Sequence, residues 1–229
     1  MNVFNISIHE RMGLVYFPEW ALYIILSSLV VVAVVNYQYP TRFFKLLSAS
    51  VNMNIARQIM REELVFSNRA SLLLLLNALL MMSFVSLQVT KYFDLVFVES
   101  DILQLLYLGI SLFAFYLAKF IVYRLAGAAF YLNLAVKEVI FHVFLYTKVF
   151  GLILIPVSLL IAFLPSAYQG GAVWISIALG AFLYLIAFVK GIIITIENKL
   201  LSYHLFLYIC ALEIGPFIVG IKLFNSYFP

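Results

Sequence analysis

Glu213 is the residue whose position most demands a chemical account. It stands near the middle of the apolar run Tyr203–Leu223, in the stretch CALEIGPF, about 15 Å from either end by helical rise. A carboxylate at such depth costs about 2.5–3.5 kcal/mol on insertion scales, so it must be protonated, paired with a partner or turned toward a wet cavity. Three chemistries fit: a hydrogen-bond lock inside the protein, a titrating acid in a proton or solute pathway, and contact with a partner subunit. Gly215 and Pro216 follow at once. Pro216 offers no donor to the carbonyl of Leu212 and its ring collides with it, which predicts a helix kink beside the acid.

The remaining intramembrane polar residues are Asn77, Lys119, Lys190 and Glu197. Asn77 suits a hydrogen bond to a neighbouring helix, worth roughly 0.6 kcal/mol. Lys119, Lys190 and Glu197 stand close enough to one end of their spans to snorkel into the headgroups. His142 and His204 lie near the same ends of two spans, so the pair could offer two nitrogens to a haem or a metal ion; the simpler expectation is that each ring rests at the interface. There is no Walker loop, GxGxxG, HExxH or Cys/His cluster, so neither a metal site nor a cofactor is expected. Cys210 is the single cysteine, which excludes an internal disulfide.

These residues must be held by elements that live in lipid. Of the 229 residues 66% are hydrophobic and only 10% are charged, too few to clothe a water-soluble domain of this size. The spectrum of partners follows: the lipid bilayer, with other membrane proteins or further copies of the chain, and no nucleic acid. Runs long enough to cross a core of roughly 30 Å occur six times, at Trp20–Val35, Ser71–Val89, Ile102–Val122, Phe144–Leu164, Ala172–Ile196 and Tyr203–Leu223. The fourth can begin as early as Val139, and Pro165, Gly170 and Gly171 in PSAYQGG are expected to break the chain between the fourth and fifth. None alternates strictly, so an all-α, polytopic transmembrane helix bundle in one integral membrane domain, residues 1–229, is expected. The first span, preceded by Glu10, Arg11 and Glu19, does not read as a cleaved signal peptide.

Basic residues orient the bundle. Arg42, Lys45, Arg57, Arg61 and Arg69 fall between the first two spans, Arg124, Lys137 and Lys148 after the third, and Lys190 and Lys199 between the last two. Only Arg11, Lys91 and Lys222 fall opposite, so the positive-inside rule predicts that the odd-numbered loops are cytoplasmic and both termini lie outside. The first of these loops is itself amphipathic. Phe44, Leu47, Val51, Ile55 and Ile59 recur at helical spacing, with Arg57 and Arg61 a turn apart. That pattern predicts a helix in the inner interface, with arginines on anionic headgroups, or one packed on the protein's own spans, or one that docks a partner.

Two stretches carry a family resemblance: Leu212, Glu213, Ile214 and Pro216 in the last span, and Lys148, Gly151 and Pro156 in TKVFGLILIPVSLL. The chain resembles an uncharacterised family of bacterial inner-membrane proteins, a domain of unknown function whose last span carries a Leu-Glu-Ile-x-Pro core. The resemblance implies an inner-membrane location and brings no activity; with that location, the outward termini predicted by the positive-inside rule are periplasmic. The expectation for function is a non-enzymatic integral subunit that scaffolds or stabilises a cell-envelope assembly. The alternatives are a small secondary transporter or channel using Glu213, and a membrane-embedded enzyme acting on lipid or haem precursors through His142, His204, Arg57 and Arg61.

Overall fold

The computed structural model describes residues 19–62, 69–93, 95, 100–129 and 133–197. The sixth expected span, with Glu213, Gly215, Pro216 and His204, lies outside the described residues. Those described form seven helices and no strand: α1 Glu19–Gln38, α2 Pro40–Val51, α3 Met53–Glu62, α4 Arg69–Tyr92, α5 Asp101–Ala129, α6 Asn133–Phe163 and α7 Ser166–Glu197. Five of them, α1 and α4 to α7, are long and apolar enough to cross a membrane. Helices satisfy every backbone group along their own length, the condition hydrocarbon imposes. The protein is a multi-pass helical membrane bundle.

Burial divides the five into a centre and a periphery. The spans of α4 and α6 are 61% and 67% buried within the protein, against 22% for α1, 6% for α5 and 17% for α7. The two central helices meet at one point of unusually close approach. A Cβ placed on Gly151 of α6 would come within 2.3 Å of the Ala78 Cα and 2.4 Å of its Cβ, so only glycine permits this crossing. Around it Met81, Phe84, Leu154 and Ile161 are fully enclosed, joined by Ile25 of α1 and Val173 of α7. Without water to expel, such fit is what holds apolar helices together in a bilayer.

Helices extend past the apolar runs where a partner awaits the extra turns. The start of α6, well before Phe144, is buried because Val139 and Ile140 pack with Tyr123 and Leu75, while Phe141 packs with Ala49 and Ala56. The turn between α6 and α7 is shorter than PSAYQGG suggests: only Leu164 and Pro165 are non-helical, and Gly170 and Gly171 lie inside α7. Proline alone makes the break. In a segment with no competing donor or acceptor, the helix keeps glycines that would end it in water.

The expected amphipathic helix of the first basic loop is two helices. The chain turns at Asn52, whose backbone is extended at φ −107° and ψ 114°. Its N–H donates to the Ser48 carbonyl at 2.9 Å, and its side-chain oxygen accepts from the Asn54 N–H at 3.0 Å, so one asparagine closes α2 and opens α3. The bend splits the expected apolar stripe. Ile55 and Ile59 pack on the cluster of Ala49, Ala56, Phe141 and Leu145, whereas Phe44 is 61% exposed.

Candidate functional site

The α2–α3 pair is clamped to the basic end of α6. Arg57 Nε donates to Glu138 Oε1 at 2.7 Å, with the carboxylate side chain 8% exposed and the arginine 34%. A second bond runs from the Tyr146 hydroxyl to the Ser50 carbonyl at 3.0 Å, tying α2 to the same helix two turns further on. Beneath the ion pair, Ala56 and Ala49 are small enough to let both short helices touch Phe141 and Leu145. Arg57 is thus turned inward to a carboxylate rather than outward to headgroups.

His142 belongs to this clamp. It is buried, and its Nδ1 lies 2.9 Å from the Glu138 carbonyl, which can only accept; the ring proton therefore sits on Nδ1. Arg57, Glu138 and Lys190 act on it electrostatically, so four ionisable side chains from α3, α6 and α7 meet at one end of the bundle. The ring is enclosed rather than presented at an interface. His204 lies outside the described residues, and those residues contain no cluster of three or more His, Cys, Asp or Glu side chains able to hold a metal ion.

Lys148, counted among the loop cations from sequence, is inside α6 and buried; its Nζ donates to Ser71 Oγ of α4 at 2.5 Å. It stands one turn before Gly151, so the close crossing that glycine permits also brings the ammonium to α4. Helical side chains lean toward the N-terminus, here the basic end, and the lysine reaches down to Ser71 by that lean. Asn77 is buried next to Ala78 at the same crossing. Pro156 lies further along α6, exposed at the outer surface of the helix.

Lys119 does not snorkel. It is 6% exposed, with its ammonium 5.3 Å from the Tyr184 ring centroid and 5.9 Å from that of Tyr123, within the range of cation–π attraction. It borders a cleft of about 80 Å³ among α4, α5, α6 and α7. Lys190 is half-buried on α7, and Glu197 is the last residue of that helix, its side chain outside the described residues. Lys45 and Arg69 are exposed; Arg42 and Arg61 fall on α2 and α3 with side chains likewise outside them.

At the opposite end, Lys91 pairs with Asp101 at 2.5 Å, and Gln104 donates to Thr90 Oγ1 and the Leu95 carbonyl, each at 3.1 Å. Gln88 donates to the Ser158 carbonyl at 3.3 Å, linking α4 to α6. None of these glutamines, nor Glu138, stood out in the sequence. The available signal was the spacing of Glu138 and His142, four apart on one helical face in a run otherwise rich in apolar residues.

No curated protein and no solved structure matches this chain. A family model described as a domain of unknown function, DUF4271, matches residues 21–224, nearly the whole length of the chain, and the chain belongs to that family.

Proposed function

We propose that the protein is a non-enzymatic integral subunit that scaffolds or stabilises a cell-envelope assembly in a bacterial inner membrane, with α2 and α3 on the cytoplasmic side and both termini periplasmic. The observation that carries this reading is the clamp. A pair of surface helices tied to a central span by the Arg57–Glu138 ion pair and the Tyr146–Ser50 bond is a fixed platform, and a partner seated on it is coupled to the core of the bundle. The outward side of that platform presents Phe44 and Lys45, an exposed aromatic ring of the kind enriched at protein interfaces beside a cation suited to an anionic surface.

Native mass spectrometry after mild extraction tests it. The wild type is expected as a complex heavier than the 26.1 kDa chain, and Phe44→Asn combined with Lys45→Glu is expected to release the partner without changing helix content. A bare chain in every mild detergent rejects the reading. The mid-depth cleft beside Lys119 favours one alternative, a small transporter or channel that uses Glu213. Flux into proteoliposomes, abolished by Glu213→Gln, would select that alternative.

A further inference from the structure

Arg69, Arg124 and Lys137 stand near one level on three mutually packed helices. Gly109 of α5 sits against Ser83 of α4, where a Cβ on the glycine would lie 3.7 Å from the serine Oγ. Counted from that contact toward the basic end, Arg69 is fourteen residues along α4 and Arg124 fifteen along α5, so both lie about 21–23 Å from it. The turn from α5 to α6 brings in Lys137. A Cβ on Gly127 would lie 3.0 Å from Val136, which sets those two residues side by side; Arg124 precedes Gly127 by three residues and Lys137 follows Val136 by one. Because α4, α5 and α6 all pack on one another, the three cations share one corner of the bundle.

We propose that this corner binds an anionic phospholipid, its phosphate held by Arg69, Arg124 and Lys137 and its acyl chains laid along α4 and α5. Charge complementarity supports this occupant first. All three side chains are exposed, and among the described residues none is paired with a carboxylate: Glu138 is taken by Arg57, and Asp101 by Lys91 at the other end. The two guanidinium groups offer paired N–H donors that match phosphate oxygens, and basic groups between helices at the cytoplasmic side suit anionic headgroups. An apolar track then leads from each arginine into the membrane. Leu72, Leu76 and Leu80 follow Arg69 at three, seven and eleven residues, and Ile121 and Leu117 precede Arg124 at three and seven; all five are exposed on the arginines' own faces. A zwitterionic lipid fits the tracks equally but carries a positive charge beside its phosphate, so the cations select against it.

Titration of the purified full chain in neutral detergent with phosphatidylglycerol or phosphatidylcholine, read as lipid adducts by native mass spectrometry, tests the site. The wild type should prefer phosphatidylglycerol by about tenfold or more. Arg69→Gln, Arg124→Gln and Lys137→Gln should each weaken phosphatidylglycerol binding about fivefold, and the triple change should erase the preference with helix content unchanged. Arg69→Lys with Arg124→Lys keeps the charges and should keep the preference. Three results overturn the proposal. Equal binding of the two lipids by the wild type means that the tracks take any lipid. A preference that survives the triple change means that other groups hold the phosphate. Displacement of phosphatidylglycerol by an equal concentration of inorganic phosphate means that the cations bind a free anion and the tracks contribute nothing.

Discussion

Glu138 sits against Arg57 at 2.7 Å with its backbone carbonyl on His142, so one residue joins a loop helix to a central span and orients a buried ring. Glu138→Gln keeps shape and hydrogen-bonding capacity but removes the charge. The expected loss is about 1.5–3 kcal/mol, the range for a hydrogen bond to a charged group, read as a lowered thermal midpoint in nanodiscs. Arg57→Glu with Glu138→Arg should recover part of what either reversal loses alone. Equal losses in the single and double reversals would mean that the contact contributes nothing. Tyr146→Phe isolates the other bond of the clamp and should cost about 0.5–1.5 kcal/mol by the same measurement. Residues of this kind are poorly legible in sequence. Glu138 follows Lys137 in what reads as a loop, and its value comes from Arg57, 81 positions away. Lys148 reads as a loop cation for the same reason; only the approach of α4 at Gly151 supplies its partner Ser71.

Gly151 fixes how α4 and α6 cross. Gly151→Ala places a methyl within 2.3 Å of the Ala78 Cα, a backbone atom that no rotamer change can move, and overpacking of this sort costs about 1–3 kcal/mol. Ala78→Gly should not rescue it, because the collision is with the Cα itself. A thermal midpoint for the pair equal to wild type would contradict the crossing. Gly171 is the converse case: it lies exposed in α7, and a Cβ there meets nothing within 4 Å. Gly171→Ala should raise stability by about 0.5–1 kcal/mol through helix propensity and unfolded-chain entropy alone. The spans themselves are legible from apolar run length, since lipid allows such runs few other structures. The glycine pair misleads because its usual reading assumes water as a competitor for backbone groups. Asn52 misleads in the other direction: its side chain can continue or cap a helix, and packing of α2 and α3 on α6 decides for the cap.

At the scale of the molecule, basic side chains gather at one end, where Arg57, Lys190, Lys45 and Arg69 accompany the α2–α3 pair. The asymmetry predicts sidedness. A cysteine at Ser67 should be shielded from an impermeant thiol reagent in intact cells, and one at Ser166, at the opposite end of the bundle, should react; the reverse labelling would invert the orientation. Membrane class and bundle were legible from composition because they depend on sums over the chain. The clamp and the cleft were not, because they depend on which helices become neighbours. The claim on which the functional reading rests is that α2 and α3 form a platform built into the bundle. Amide hydrogen exchange of Met53–Glu62 in nanodiscs tests it directly. Exchange should be slow in the wild type and about tenfold or more faster in Glu138→Gln, as loss of a charged hydrogen bond implies, with α4 unchanged. Rapid exchange in the wild type, or exchange of α3 indifferent to Glu138, would show a helix resting on the membrane and not on the protein.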